Sequence, residues 1–399
     1  MIVSAQLHSG MYQKFDPRYN LCDLPRILDD DDKRRAITDQ AKSVACLVEK
    51  EQLIESHHDD DDDDTVQYSI DTSKVRKLSQ KIISVFKENY IHDCAKHNKP
   101  YKEEEAPNRY EGAFGDELSL GDGTAFLIGK QLILTAAHCV CNEETGFLSR
   151  TKVASLRVIF GFQNFSAKEL KTVFEKKEVY RIEAVWKYDF RGRGKDADWA
   201  IVKLDREVEG RNPLNFNSLP GISSKTQLYM LGHPSGLPLK LTISAEVKET
   251  DDTPIFQADL DAFGGNSGSP VFELKPSNIA GMLISGNPMA DYRSVGREVK
   301  VRQVSNADIE LGGYSRCHKV ASLGFVKTVL SSSFKVAYSQ FTGRSKYLNV
   351  LKDYFLGTPF SITKAHILYG PGGVGKSEIA ASFISENTEG FSFIWTLSC

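Results

Sequence analysis

The fold of this chain is decided by the stretch Gly265-Asn266-Ser267-Gly268-Ser269-Pro270, which sets a serine among glycines. A serine hydroxyl is a weak nucleophile until an imidazole takes its proton and backbone N–H groups receive the charge that develops on the attacked carbonyl. Glycines suit such a loop because N–H groups that point at a substrate oxygen require unusual backbone angles and no obstructing side chains. The stretch therefore predicts a nucleophile, Ser267, inside an anion-binding loop.

A base lies upstream in the stretch Thr135-Ala136-Ala137-His138-Cys139. The pair resembles the chymotrypsin-like arrangement, in which an acid between the base and the nucleophile in chain order fixes the imidazole tautomer. Asp189, Asp196 and Asp198 are the candidates. We favour Asp198 because it opens the apolar run Asp198–Leu204, which is typical of a barrel strand.

In this order, His138, Asp198 and Ser267 resemble the triad of the trypsin/chymotrypsin family of serine peptidases. The resemblance implies that His138 is the general base and then acid, that Asp198 orients it, and that Ser267 is the nucleophile. It also implies an oxyanion hole formed by the N–H groups of Gly265 and Ser267, and an all-β fold of two β-barrels. The alternative is a catalytically silent protease fold kept as an interaction module on an NTPase scaffold, against which the intact triad argues.

Two departures place the resemblance nearer to intracellular-style and bacterial trypsin-like peptidases, including the glutamyl-endopeptidase branch, than to digestive trypsin. Vertebrate-type enzymes bridge the cysteine after the catalytic histidine to an earlier cysteine, but residues 121–126 contain none, so we expect Cys139 to be unbridged in that way. Asn266 occupies the position of the aspartate that pairs with a new N-terminus during zymogen activation. A neutral amide cannot form that ion pair, so we do not expect activation by N-terminal insertion.

Residues that would bind the substrate follow from the same resemblance. Residues 228–234 and 279–286 are short apolar segments broken by glycine and proline, which is typical of an antiparallel barrel. The second resembles the family strand that pairs with substrate backbone, so Ser285, Gly286 and Asn287 would hold an extended peptide. Protein or peptide is therefore the expected substrate.

Asp261 lies six positions before Ser267, where trypsin keeps the carboxylate of its S1 pocket. The resemblance therefore implies cleavage after Lys or Arg. Two alternatives remain open: Asp261 caps a turn, as aspartates readily do, or the chain takes acidic residues, as the related glutamyl endopeptidases do.

A second motif is Gly370-Pro371-Gly372-Gly373-Val374-Gly375-Lys376-Ser377, which fits the phosphate loop G-x-x-x-x-G-K-[ST]. A β-rich run at 364–369 precedes it and a helix-forming run follows, so the backbone at Gly370, Gly372, Gly373 and Gly375 can face a triphosphate. Lys376 would reach the β- and γ-phosphates, and Ser377 would hold Mg²⁺. ATP or ADP with Mg²⁺ is thus the expected cofactor of this part, whereas proteolysis needs none.

The segment around this loop resembles the entry to STAND-type signalling NTPases, the class that includes NB-ARC proteins. The resemblance rests on Phe341-Thr342-Gly343-Arg344 with Leu348 and Leu351, and on the later run Phe391-Ser392-Phe393-Ile394-Trp395-Thr396-Leu397. It implies a proteolytic effector controlled by a nucleotide-driven switch. The sequence ends at Cys399, before a strand that could supply the acid of the Mg²⁺ site, so we expect a fragment or a shortened product without ATPase activity.

Composition fits a multidomain protein with these parts. Residues 1–108 are expected to be an α-helical N-terminal region with disordered acidic tracts, 109–331 the double barrel, 332–340 a linker, and 341–399 the start of an α/β P-loop domain. Within the first region, apolar residues at helical spacing predict an amphipathic helix at 72–89, and residues 29–32 read as an exposed charged turn.

The charge, the hydropathy and the cysteine content of the sequence argue against several classes of protein. The 399 residues carry a formal net charge of −3, and ten negative charges lie in the acidic runs 29–32 and 59–64. The remaining charge is mildly basic but too diffuse to indicate nucleic-acid binding. No apolar run is long enough for a membrane span, and the first thirty residues lack a signal-peptide core. Seven widely spaced cysteines form no disulfide framework, which predicts a cytoplasmic protein; oligomerisation is expected only in a full-length form.

Overall fold

The computed structural model describes residues 18–56, 66–166, 169–193, 195–214, 222–274, 278–286, 291–302, 313–322, 345–356 and 379. The chain divides into two compact units, Met1–Ser322 and Leu323–Cys399. The described strands all lie in the first unit, and the second contains one described helix. The elements below carry the labels used throughout.

The described strands are β1 Arg18–Asn20, β2 Val44–Glu49, β3 Leu53–Ser56, β4 Gln67–Ile70, β5 Arg76–Lys77, β6 Arg109–Glu111, β7 Leu118–Ser119, β8 Gly123–Leu127, β9 Leu132–Thr135, β10 Leu156–Phe160, β11 Asn164–Ser166, β12 Glu169–Leu170, β13 Val173–Glu175, β14 Val179–Phe190, β15 Asp198–Leu204, β16 Gln227–Gly232, β17 Lys240–Thr250, β18 Ile255–Ala258, β19 Pro270–Glu273, β20 Ile279–Ser285, β21 Tyr292–Val295, β22 Glu298–Val301 and β23 Ser315–Lys319. The described α-helices are α1 Leu24–Ile27, α2 Asp31–Ala41, α3 Leu78–Lys96, α4 Arg150–Ser155 and α5 Ser345–Leu356.

Strands β10, β14, β15, β9, β8 and β2 form a closed antiparallel barrel among the described residues. Alternate side chains point into it: Val158 and Phe160 of β10 share a core cluster with Val202 and Leu204 of β15. This spacing follows from the period of two along a strand, which sends successive side chains to opposite faces. The closed barrel buries its apolar side chains in one core and leaves no open sheet edge.

A second closed barrel is formed, within the described residues, by β17, β16, β19, β20, β23 and β18, because β18 pairs back onto β17. Leu228 and Met230 of β16 lie in its core with Phe256 of β18. The expected strands are confirmed here, at Gln227–Gly232 and Ile279–Ser285. Two six-stranded antiparallel barrels match the predicted double-barrel fold.

The start of the barrel structure differs from the boundary expected at residue 109. Strand β2 lies between β10 and β8 in the first barrel, and β1 pairs with β17 of the second. The physical reason is visible in β2: Val44 to Val48 are all buried, so both faces of this strand are covered. Residues before 109 therefore supply a barrel strand, which no catalytic motif marks.

Two local expectations for the N-terminal region are also corrected. The helix expected at 72–89 is α3, Leu78–Lys96, and it begins later because Arg76 and Lys77 form β5 against β7. The acidic run at 29–32 is partly helical, since the Asp30 side chain accepts from the Lys33 N–H at 3.1 Å and caps α2. Carboxylates in a first helical turn are favoured by the partial positive charge of the helix N-terminus. The acidic run at 59–64 lies outside the described residues.

The expected NTPase start is described only at residue 379 and at α5, Ser345–Leu356, which contains Leu348 and Leu351. The linker 332–340 and the phosphate-loop residues Gly370, Gly372, Gly373, Gly375, Lys376 and Ser377 lie outside the described residues. None of the helices that are described is both long and apolar enough to cross a membrane.

Candidate active site

The histidine of the predicted triad lies on a short 3₁₀ turn, Ala137–Cys139, directly after β9. Asp198, the first residue of β15, accepts two hydrogen bonds from it: one from the ring Nδ1 at 2.7 Å and one from the backbone N–H at 3.0 Å. The Asp198 side chain is fully buried and that of His138 is 6% exposed. With Nδ1 donating to the carboxylate, the lone pair of Nε2 is the one that can accept a proton.

The other two acid candidates are placed elsewhere. The Asp189 carboxylate pairs with Arg191 at 3.5 Å, and that of Asp196 pairs with Arg316 at 3.2 Å. Both remain partly exposed, at 39% and 66% of the side chain. Asp198 is therefore the acid that contacts His138.

Ser267 lies on the loop between β18 and β19 and is 7% exposed. Its carbonyl accepts from the N–H of Thr124 on β8 at 2.9 Å, and the sulfur of Cys139 lies 3.9 Å from the same oxygen. Since Cys139 directly follows His138, these contacts bring the serine loop of the second barrel beside the histidine of the first. A β-carbon at Gly268, whose φ is +89°, would meet the Thr124 carbonyl at 2.0 Å, so only glycine allows this approach.

The predicted oxyanion hole lies on the same loop. Gly265 has a φ of +89°, and a β-carbon there would meet the His233 carbonyl oxygen at 2.6 Å. Its own carbonyl accepts from the Thr124 hydroxyl at 2.8 Å, which turns it inward. Among the described residues, the N–H groups of Gly265 and Ser267 donate to no backbone carbonyl. Neither of these N–H groups is therefore engaged by the described backbone.

Two of the segments predicted to bind substrate, around Asp261 and around Gly286, contact each other. The N–H of Asn266 donates to the Phe263 carbonyl at 3.0 Å, and Asp261 just before this turn is half-buried. A β-carbon at Gly286 would lie 3.2 Å from that of Ala262, so the end of β20 runs beside the segment that follows Asp261. Ser285 donates through its hydroxyl to the Gly286 carbonyl at 3.0 Å. Asn287 lies outside the described residues.

A cleft of about 630 Å³ opens beside His138. Its walls combine both barrels with helix α3, and they include Leu47, Lys81, Ile82, Val85, Phe86, His138, Gly264, Gly265, Asp291 and Tyr292. The contribution of α3 was not expected from the sequence, because its apolar spacing would equally suit a helix packed elsewhere. Its apolar residues give the cleft a hydrophobic wall.

Two titratable groups near the serine loop are shifted by burial. Burial lowers the pKa of His233 to about 4, so this histidine is neutral at pH 7, and its Nδ1 donates to the Leu237 carbonyl at 3.0 Å. Burial also raises the pKa of Asp291 to about 6. The Asp291 carboxylate accepts from the N–H of Gly264, the residue before the predicted oxyanion glycine, at 3.1 Å.

The described residues provide neither a disulfide, nor a reactive thiol, nor a metal-binding cluster at the site. The six cysteines found there are unbridged, and burial raises the pKa of Cys139 to about 12, which keeps its thiol unreactive. No group of three or more His, Cys, Asp or Glu side chains among the described residues is arranged to hold a metal ion.

A known protein family matches part of this chain. Residues 123–282 match the family model described as a trypsin-like peptidase domain. The matched range begins at β8 and includes His138, Asp198 and Ser267, whereas β2 and α3, which complete the first barrel and the cleft of the domain, precede it.

Among solved structures, the chain is similar to a Glu endopeptidase in complex with MPD, at 18% identity over 51% of this chain and 83% of that one, with a TM-score of 0.35. It is also similar to the active form of the Rv3671c protease from M. tuberculosis, at 17% identity over 55% of this chain and 76% of that one, with a TM-score of 0.30. The search of curated proteins found no match.

Sequence reasoning missed Thr124, which ties the serine loop to the first barrel through its N–H and its hydroxyl, while its carbonyl accepts from the Thr135 hydroxyl within that barrel. Its position directly after Gly123, at the head of an apolar run, was the available signal. It also missed Arg18 and Asp291, which lie behind the loop. No local pattern marks either, because each acts through contacts with residues far away in the chain.

Proposed function

We propose that this chain is a serine endopeptidase in which Ser267 attacks the substrate carbonyl, His138 carries the proton and Asp198 orients the imidazole. The observation that supports it most strongly is the doubly hydrogen-bonded His138–Asp198 pair, with Asp198 fully buried and with Nδ1 to Oδ2 at 2.7 Å. A carboxylate buried at this cost is unusual in a barrel unless its partner needs orientation and charge stabilisation.

The proposed reaction follows from these contacts. As the Ser267 oxygen bonds to the carbonyl carbon, its proton passes to Nε2 of His138, and Asp198 stabilises the imidazolium. The negative charge that moves to the carbonyl oxygen is received by the N–H groups of Gly265 and Ser267. His138 then gives the proton to the leaving amine nitrogen as the C–N bond breaks, and water releases the acyl group by the same steps in reverse.

A serine-reactive fluorophosphonate probe tests the proposal, because labelling requires an activated Ser267. We expect wild type and the surface control Ser294→Ala to be labelled, and Ser267→Ala and His138→Ala to be unlabelled. Peptide turnover should fall by about 10⁶-fold in either triad variant and little further in the double variant, since the two residues act as a unit. Additive losses would show that the wrong residues have been paired.

The same experiment separates the alternative function. A folded wild-type protein that neither reacts with the probe nor cleaves a diverse peptide library would contradict the peptidase proposal. That result would instead favour a catalytically silent interaction module.

We also propose that the substrate carries Lys or Arg before the cleaved bond, with Asp261 as the acidic partner. The contact between Gly286 and Ala262 supports this, because it places the predicted peptide-binding strand next to the Asp261 segment. A peptide library should show basic P1 residues in wild type and a loss of that preference in Asp261→Ala, with Asp251→Ala, an acid outside this segment, as control. A preference for Glu, or unchanged Arg cleavage by Asp261→Ala, would contradict it.

A further inference from the structure

A buried arginine from the N-terminal strand lies behind the predicted oxyanion loop. Arg18, on β1, is 2% exposed. The central carbon of its guanidinium lies 4.3 Å from the ring centroid of Phe263 and 5.3 Å from that of Phe114. Its Nη1 donates to the Tyr292 hydroxyl at 3.0 Å. Phe263 directly precedes Gly264 and Gly265, so the arginine supports the start of the loop.

The next residue of the loop is held by the same group of side chains. The N–H of Gly264 donates to Asp291, and its carbonyl accepts from the N–H of Ser235. The Ser235 hydroxyl lies 2.8 Å from the hydroxyl of Tyr292, which also receives the Arg18 hydrogen bond. Three consecutive contacts therefore lead from Arg18 to the peptide group that precedes Gly265.

A guanidinium at this place is expensive to bury, which makes a merely space-filling role a poor explanation. Its charge is taken out of water, and this is offset by the faces of aromatic rings, by a hydrogen bond and by the nearby Asp291. Arg18 acts on that carboxylate, because its charge lowers the pKa of Asp291 against the raising effect of burial. The cluster thus fixes one rigid arrangement of charge around a loop whose N–H directions matter for the reaction.

We propose that Arg18 is a positioning residue for the oxyanion hole, acting through Phe263, Tyr292 and Asp291 on the N–H of Gly265. Strand β1 holds Arg18 in place by pairing Arg18 with Thr242 of β17. The N-terminal segment is then a required part of the catalytic apparatus, although it supplies no group that touches substrate. This inference rests on the proposed peptidase function.

The test compares Arg18→Met with Lys240→Met. Lys240 is a matched control because it is 1% exposed, lies on β17 beside β1, and has its ammonium 4.2 Å from the Phe114 ring centroid, while its hydrogen bonds go to Asn20 and Glu117. We expect kcat of Arg18→Met to fall by about 10- to 100-fold, less than the 10²- to 10³-fold loss of an oxyanion donor, because the donor is displaced and not removed. KM should change by less than about 3-fold, since the ground state gains little from the oxyanion hole.

A peptide boronic acid, which forms a tetrahedral adduct with the serine, should bind Arg18→Met more weakly by the same factor as the fall in kcat/KM. Lys240→Met should lose thermal stability to a similar or greater extent and keep kcat within about 3-fold of wild type. An Arg18→Met protein that is folded at the assay temperature and has wild-type kcat would overturn the inference. So would an equal loss of kcat in Lys240→Met, which would reveal a general effect of destabilisation.

Hydrogen exchange tests whether Arg18 orders the serine loop, and it does so without a measurement of catalysis. The amides of Gly264 and Asn266, which donate to Asp291 and to the Phe263 carbonyl, should exchange faster in Arg18→Met than in wild type and remain protected in Lys240→Met. If wild type itself has no activity, the proposed function fails, and the exchange result still shows whether Arg18 orders the loop. Unchanged protection in Arg18→Met would contradict the positioning role.

Discussion

Residues 123–282 and residues 18–108 contribute to the same site in different ways. The first range carries the histidine, the acid and the serine in motifs that can be recognised one by one, and it matches a peptidase family model. The second carries no such motif, yet it supplies a barrel strand, one wall of the cleft and the arginine behind the serine loop. The triad motifs can be recognised locally, because the proposed reaction requires particular residue types at fixed spacing. The residues that pack around the motifs cannot, because they reach the site through contacts between distant segments.

The largest effect on kcat is expected from a substitution at Gly265, in the range that carries the catalytic motifs. Gly265→Ala should lower kcat by about 10²- to 10³-fold, because its β-carbon would meet the His233 carbonyl at 2.6 Å and force the oxyanion N–H away. The matched control is Gly210→Ala, since Gly210 also has a positive φ, +67°, but a β-carbon there meets nothing within 4 Å. Steady-state kinetics on both variants measures the difference. Equal effects would mean that backbone strain alone, and not the oxyanion position, determines the loss.

The next prediction tests whether the N-terminal range is part of the peptidase domain. Leu47, on β2, is 2% exposed and belongs to the core of the first barrel. Leu47→Ala should reduce the free energy of unfolding by about 2–4 kcal/mol, as expected for a leucine removed from a packed core. Chemical denaturation monitored by circular dichroism provides the measurement.

The control for Leu47→Ala is Ile54→Ala, because Ile54 lies on β3 of the same N-terminal range but is 49% exposed. It should change the free energy of unfolding by less than about 0.5 kcal/mol. A separate, low-stability transition for the N-terminal range, with the barrels unaffected by Leu47→Ala, would contradict the single unit.

How much the sequence reveals can be judged from particular residues. Ser267, His138 and Asp198 could be predicted because each lies in a local pattern, and in the structure the Asp198 carboxylate accepts two hydrogen bonds from His138. The strands β16 and β20 were identified because glycine and proline bound their apolar runs. Strand β2 was missed because Val44 to Val48 gives no alternation when both faces are buried, and such a run does not reveal its partner. Arg18 was missed because its contacts are with aromatic rings and a hydroxyl of residues far away in the chain, and no local sequence pattern reveals such contacts.

A smaller effect is expected from the pH dependence of Asp291, which lies outside the matched range. Its pKa is raised to about 6 in the folded protein, whereas an aspartate in an unfolded chain titrates near 3.9. Between these values the folded state binds more protons than the unfolded state, so the contribution of Asp291 to stability falls as the pH rises through this window.

Asp291→Asn keeps an oxygen that can accept from Gly264 and removes the titration. Relative to this variant, wild type should lose about 1–2 kcal/mol of unfolding free energy between pH 4 and pH 7, with Arg18 and Arg193 limiting the loss because both lower this pKa. Urea denaturation of both proteins across that range measures the difference. Two parallel stability curves would show that Asp291 titrates normally.

The smallest effect is expected from the phosphate-loop motif. Every residue assigned to the candidate active site lies in the unit Met1–Ser322, whereas Lys376 lies in the unit Leu323–Cys399. A bound nucleotide can change proteolysis only as far as it binds two states of the protease with different affinity, and nothing in the arrangement of His138, Asp198 and the serine loop requires a second state. We therefore expect peptide turnover to stay within about 2-fold on addition of ATP with Mg²⁺, and Lys376→Ala to behave as wild type. The measurement is peptide turnover for both proteins with and without nucleotide, with Ser267→Ala as the blank. A several-fold response that is lost in Lys376→Ala would contradict this prediction, because it would show that the phosphate-loop segment controls proteolysis.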